Sequence, residues 1–305
     1  MTPREKADNI ASFELLWHTV RDQHPDPKLN GLNWQEIHDS TLPLIENAAS
    51  MEEVRDILRG VVAKLEASHY SIIPSERYDV PSAASPAPAN PLEGTLVHFG
   101  NLPESRLTFE SRLLPGGAGY IRFNEFLDPA TIMPKFEAAL KSFAKAPGII
   151  LDLRGNPGGI GVMAMGIAGF FIDKPGQKLG EMKMRQTTLQ FVIFPRPETY
   201  AGKLAILLDE GSASTTEILA GGLQDLGRAR IFGTRSMGAA LPSDIIRLPN
   251  GDGFQYAQAS YTSVSGKILE GNGVTPDAVV HQTRESVLAD HDLVIEAADN
   301  WITSH

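Results

Sequence analysis

LLDEGSASTTEILAGGLQD, residues 207–225, reads as an apolar strand, a turn of small residues and then a helix. The strand, KLAILLD at 203–209, is almost uninterruptedly apolar, as a strand covered on both faces of a sheet must be. The same grammar recurs upstream. GIILDLR at 148–154 leads into the glycine-rich turn GNPGGIG and an apolar helix from Val162 to Phe171, and GYIRFNEF at 119–126 leads into a helical pattern through Phe136, Leu140 and Phe143. Strands alternating with helices predict an α/β fold with a parallel or mixed sheet covered by helices. Past Ile231 the pattern turns to strands, with a hairpin signal in Pro249 to Gly253 between IIRL and FQYAQASY, and a last helix lies near residues 290–303.

The N-terminal part has a different period. Phe13, Leu16, Trp17 and Val20, then Val54, Leu58, Val61, Val62 and Leu65, recur at three- and four-residue spacing and predict a small helical module over residues 1–74. SERYDVPSAASPAPANPLEG at 75–94 carries prolines at 81, 86, 88 and 91, which deny it a regular helix or a central strand. It predicts a linker over 75–105, with an α/β catalytic domain over 106–305.

Composition narrows the function. Twenty-seven basic against 37 acidic residues give a net charge of -10, which disfavours nucleic acid or an anionic membrane surface as a partner. There is no cysteine, so thiolate catalysis and cysteine zinc sites are excluded. No segment approaches the roughly 18 apolar residues of a membrane span, and the N-terminus lacks the apolar run of a signal peptide. The expectation is a cytoplasmic protein, or a periplasmic or secreted one whose leader has been removed, without membrane insertion.

Two serines, Ser212 and Ser214, stand at the corner where the strand gives way to the helix. Ser214-Thr215-Thr216-Glu217 is also a capping box, in which the hydroxyl accepts from the third helical N–H and the glutamate reaches back. Local grammar alone favours a cap over a nucleophile. Gly211 and Ala213 let a substrate approach the backbone, and a helix N-terminus offers N–H donors to a developing oxyanion. GNPGG at 155–159 follows a buried strand too, so if the strands are neighbours both turns open at the carboxyl edge of the sheet, where ligands bind. Its spacing fits neither GxGxxG nor GxxxxGK, so no nucleotide cofactor is expected.

LDLRGNPGG at 151–159, DEGSASTTEILAGGLQDLGRARIFG at 209–233 and GNGVTPD at 271–277 together resemble the catalytic blocks of the carboxy-terminal processing and tricorn core serine proteases. FELLWHTV, LNWQEIHD and LEASHYSIIP resemble that family's helical module, so the likeness covers most of the chain. It implies a Clp-protease/crotonase-like mixed sheet with covering helices behind a small N-terminal helical module, with no cofactor and no metal. Two features depart from the carboxy-terminal processing branch. Its catalytic lysine lies 25 residues after the serine, where this chain has Ala239, and its PDZ domain does not fit into the roughly thirty residues of the linker at 75–105 that part the helical module from the catalytic domain.

The tricorn-like branch uses a histidine, and the resemblance supplies all four members of its set. LEASHYSIIP gives Ser68 and His69, the second serine of the serine block gives Ser214, and LEGNGVTPD gives Glu270. The implied arrangement has His69 as general base, Ser68 bonding His69, and Glu270 bonding Ser68. The oxyanion would be held by the Thr215 N–H and by one from Gly158 or Gly159. An imidazole is the side chain best matched to proton transfer at neutral pH. Lys267 lies downstream at the wrong spacing for a lysine base.

These residues imply a serine peptidase acting on short or unfolded peptides through an acyl-enzyme. The rivals are a serine hydrolase of ester or specialised-metabolite substrates, and a non-catalytic apolar-ligand-binding protein like the interphotoreceptor retinoid-binding modules, which share the fold. The expected partner is a peptide or small-molecule substrate, with a homo-oligomer left open and no nucleic acid.

Overall fold

Residues 148–152 and 203–208 have apolar side chains on both sides of the strand, and the fold buries both. The computed structural model describes residues 1–77 and 107–304, so the linker expected over 75–105 lies almost wholly outside the described residues. The described chain forms two units. One gathers the residues up to Arg77 with Lys183–Thr188 and Leu241–Ser260, and the other gathers the rest. The stretch 106–305 is therefore not a single unit.

The second unit is built on a six-stranded mixed sheet. Its strands are β2 (Phe109–Leu113), β3 (Gly119–Phe123), β4 (Gly148–Asp152), β7 (Lys203–Leu208), β8 (Arg230–Gly233) and β12 (Ala278–Val279), in the spatial order β12-β8-β7-β4-β3-β2. All neighbours are parallel except β2, which runs antiparallel to β3. Successive side chains of a strand point to opposite faces. Ile149, Leu151, Leu204, Ile206 and Leu208 thus join Phe136, Ile167 and Leu219 in one core, while Ile150, Ala205, Leu207 and Phe232 join Val294, Ala298 and Ile302 in another.

The first core is covered by α4 (Pro129–Ser142), α5 (Gly161–Ala168) and α6 (Thr215–Asp225), and the second by α8 (Leu293–Thr303). β4 and β7 are adjacent, with Asp152 opposite Leu207. The turns GNPGG and EGSAS therefore leave neighbouring strands at the same edge, as expected. Lys203 at the start of β7 caps α8, donating to the carbonyls of Trp301 and Ile302 at 2.9 and 3.2 Å. A smaller sheet of β5 (Lys178–Lys183), β6 (Thr188–Val192) and β11 (Ser260–Ser263) has the order β11-β5-β6.

The first unit carries α1 (Pro3–Gln23), α2 (Trp34–Asn47) and α3 (Met51–Ala63). Trp17 Nε1 donates to the Trp34 carbonyl at 2.8 Å and Trp34 Nε1 to the Trp17 carbonyl at 3.0 Å, a reciprocal pair that fixes α1 against α2. The helices share a core with a sheet of β1 (Ser71–Ile73), β10 (Gly253–Ala257) and β9 (Ser243–Arg247), whose Leu248, Phe254 and Tyr256 pack on Phe13, Leu16 and Leu58. The hairpin expected around Pro249 to Gly253 forms, and its apolar face belongs to the helical module. Arg55, on α3, donates to both oxygens of the buried Asp252 at 2.9 and 2.8 Å, tying helix to hairpin.

Candidate active site

Ser212 and Ser214, equivalent in the sequence, have different surroundings. Ser212 is fully buried, donates to the Leu153 carbonyl at 2.9 Å and accepts from the Asp209 N–H at 3.0 Å. Both roles of its hydroxyl are consumed in joining the turn after β7 to the end of β4. Ser214 is half-buried and its hydroxyl makes no cap hydrogen bond.

The backbone at Ser214 explains this. With φ 56 and ψ -119 it sits in a sparsely populated region, at the sharp turn from strand to helix. Such a turn lifts a side chain away from the helix it begins. Of the expected capping box, the glutamate's half is the one that closes tightly. The close bond in it runs from the Ser214 N–H to Glu217 Oε2 at 3.0 Å, while the Glu217 N–H goes to the Ser214 carbonyl at 2.8 Å. The close cap bond is thus the glutamate's, not the hydroxyl's.

GNPGG is held against this corner by its asparagine. Asn156 is fully buried; its amide donates to the Phe123 carbonyl at 3.0 Å, its Oδ1 accepts the Gly158 N–H at 2.9 Å, and its backbone carbonyl accepts the Ala213 N–H at 3.0 Å. Gly158 has φ +95, and a Cβ there would stand 2.8 Å from Ser214 Cβ, from Thr215 N and from the Ala213 carbonyl oxygen. Only glycine permits this approach. The Thr215 hydroxyl donates to the Gly159 carbonyl at 2.7 Å, locking the two turns together.

Of the two glycine N–H groups named from the sequence, that of Gly158 is already committed to Asn156. The Gly159 N–H has no acceptor among the described residues, since the bridge beside it uses Gly158 O and Ile160 N on Phe126. Thr215, as the first helical residue, likewise offers an N–H without an intrahelical acceptor. The second unit thus brings together Ser214, Thr215, Gly158 and Gly159.

Glu270 and Ala239 lie on segments tied to the same corner. Ala239 accepts the Ser214 N–H through its carbonyl at 2.8 Å, so the position where a rival lysine would stand does abut Ser214 and carries only a methyl group. Glu270 Oε2 accepts the next N–H along, that of Ala240, at 2.9 Å. In the first unit, Ser68 Oγ and His69 Nδ1 are 2.7 Å apart, the hydrogen bond expected of that pair. His69, like Ser214, has a positive φ, of 61, a strained conformation for a residue with a side chain.

Lys267 is engaged elsewhere. Its Nζ is 2.8 Å from Asp225, a carboxylate only 2% exposed that also accepts the Ser263 and Ser265 hydroxyls. Burial pushes the Asp225 carboxyl up, but the bonds from Lys267, Ser263 and Ser265 outweigh it and hold the pKa at about 2, below the ordinary 3.8. A depressed carboxyl stabilises the fold above its unfolded pKa, and that contribution disappears as pH falls through the folded value. Asp225→Asn is expected to cost about 2 kcal/mol of unfolding free energy at pH 6, and almost nothing at pH 2 and below. Urea titrations of both proteins at the two pH values check this.

The sequence motifs also meet matching relatives. The model of peptidase family S41 matches residues 117–280, more than half of the chain, and that of the tricorn protease C1 domain matches residues 6–63. The chain belongs to peptidase family S41. A carboxy-terminal-processing protease of Bartonella bacilliformis is 31% identical over 186 residues, which are 59% of this chain and 42% of that protein. The matched region is thus less than half the length of that relative. Among solved structures, a putative peptidase from Parabacteroides merdae superposes with a TM-score of 0.70 at 20% identity, covering 97% of both chains. The tricorn protease superposes at 0.65 and 15% identity, covering 98% of this chain and 37% of its own. These likenesses agree with the mixed sheet and covering helices expected of an S41 chain. Two residues that build its corner, Asn156 and Asp209, were not singled out from the sequence. Asp209 accepts the Gly155 and Gly211 N–H groups at 2.7 and 3.0 Å, and its only signal was its place beside the serine turn.

Proposed function

We propose that the chain is a serine peptidase that cleaves short or unfolded peptides through an acyl-enzyme on Ser214. The observation that carries this reading is Ser214 itself, a strained residue whose helix is capped closely by Glu217, beside the N–H groups of Thr215 and Gly159, which have no acceptor among the described residues. In the proposed reaction His69 takes the proton of Ser214 as Oγ attacks the scissile carbonyl. The Thr215 and Gly159 N–H groups hold the oxyanion, where preorganised donors contribute most. His69 then returns the proton to the leaving amine as the C–N bond breaks, and water, deprotonated by the same imidazole, releases the acid. For His69 to accept at Nε2 its Nδ1 must carry the other proton, donated to the Ser68 hydroxyl, whose own proton goes to Glu270. That relay performs the task of the aspartate in a Ser-His-Asp triad.

Turnover of unstructured peptides against matched esters, followed from pH 5 to 9, tests the reading. Peptides are expected to be cleaved, with kcat/KM rising through an apparent pKa of roughly 6 to 7, the range of a histidine base. Lys267→Ala is expected to leave that profile in place. A rise only above about pH 8 contradicts the histidine, and turnover of esters alone contradicts the peptidase. Tight binding of an apolar ligand with no turnover of either class assigns the chain to binding rather than hydrolysis.

A further inference from the structure

Glu217 is fully buried, 0% exposed, and has no ion pair among the described residues. The other fully buried carboxylates contrast with it, since Asp152 is paired with Arg154 and Asp252 with Arg55. A carboxylate taken out of water without a cation is costly unless hydrogen-bond donors surround it. Glu217 has four. Its Oε1 accepts the Ser236 hydroxyl at 2.6 Å and the Gly238 N–H at 2.8 Å, and its Oε2 accepts the Ala239 N–H at 2.9 Å and the Ser214 N–H at 3.0 Å. It also sits in the first turn of α6, where the helix dipole favours a negative charge.

All four donors belong to two backbone segments, the head of α6 and residues 236–239. A helix cap alone requires only the bond to Ser214. The other three bonds pin the segment whose Ala239 carbonyl shares the same Ser214 N–H, so one carboxylate oxygen, Oε2, fixes both partners of that contact. Ser236 extends the network, since its hydroxyl accepts the Val274 N–H at 2.6 Å while donating to Glu217. The next residue of the segment, Ala240, is held by Glu270. A strained backbone such as that of Ser214 persists only where its surroundings over-determine it.

We infer that Glu217 is a positioning residue for the nucleophile: its buried carboxylate clamps Ser214 and the 236–239 segment into the geometry from which Oγ attacks. The inference rests on the reading of Ser214 as nucleophile. It assigns Glu217 no proton transfer and no contact with substrate.

The test is Glu217→Gln, which keeps the volume but turns an NH2 group against at least one backbone N–H in either orientation of the amide. Fluorophosphonate labelling is followed for both its rate and the fraction labelled at completion, alongside kcat and KM on a peptide. The rate constant and kcat are expected to fall roughly 10- to 100-fold, the scale of a small misplacement of a reacting group. KM should stay within about 2-fold, the labelled fraction should match wild type, and the apparent pKa of the profile should not move. A wild-type labelling rate, or a reduced labelled fraction whose remainder reacts at the wild-type rate, overturns the inference. Ser236→Ala removes one donor and is expected to slow labelling by roughly 3- to 10-fold; if Glu217→Gln does not fold, an undiminished rate in Ser236→Ala overturns it instead. A wild-type protein that does not label overturns the nucleophile reading, not the clamp.

Discussion

Ser214→Ala is expected to abolish turnover, with kcat falling by about 10⁴ to 10⁶, while the fold and its thermal unfolding stay close to wild type. The magnitude is that of removing the nucleophile from a serine protease, where what survives is the contribution of the oxyanion hole and substrate binding. The sparing of stability follows from the surroundings. The Ser214 hydroxyl makes no cap hydrogen bond, and the helix is capped through Glu217, whose bond goes to the backbone N–H that alanine retains. Ser212→Ala should behave in the opposite way. It removes a buried hydroxyl that donates to Leu153 and accepts from Asp209, so it should cost about 1–3 kcal/mol of stability. Kinetics and urea unfolding on the pair separate the two serines.

His69→Ala is expected to cost nearly as much activity as Ser214→Ala, about 10⁴-fold or more, because a serine without its base is a poor nucleophile at neutral pH. The two losses should not add. The double variant is expected to lie within about 10-fold of either single one, as groups that act as a unit do. Ser68→Ala removes the partner 2.7 Å from Nδ1 and should lower kcat while leaving KM nearly unchanged, since the imidazole loses its orientation but the substrate loses no contact. Additive losses in the double variant would mean that His69 acts independently of Ser214. Steady-state kinetics on the four proteins provide the comparison.

Strands and helices were largely legible because their physics is local. Runs such as GIILD and KLAILL, buried on both faces, have few alternatives to a covered parallel strand, and β4 and β7 adopt it. The hairpin of β9 and β10 was legible as a hairpin but not by unit, because the partners of Leu248, Phe254 and Tyr256 lie some 200 residues earlier in the chain. The corner at Ser214 shows the same divide. Its glutamate read as a helix cap, which is a three-residue relationship, whereas its bonds to Ser236, Gly238 and Ala239 span about twenty residues and leave no periodic trace. Asn156 likewise read as part of a tight turn, and its bonds to Phe123 and Thr216 reach 33 and 60 residues away. The positive φ of Ser214 had no sequence signal at all, since serine is not a residue that left-handed backbone favours, whereas histidine, as at His69, is enriched there.

The central claim is that Ser214 is the residue acylated in catalysis. Peptide mapping by mass spectrometry after reaction with a fluorophosphonate tests it most directly. One adduct per chain is expected, on the peptide that contains Ser214, lost in both Ser214→Ala and His69→Ala. An adduct on Ser212, or full labelling of Ser214→Ala, would contradict the account.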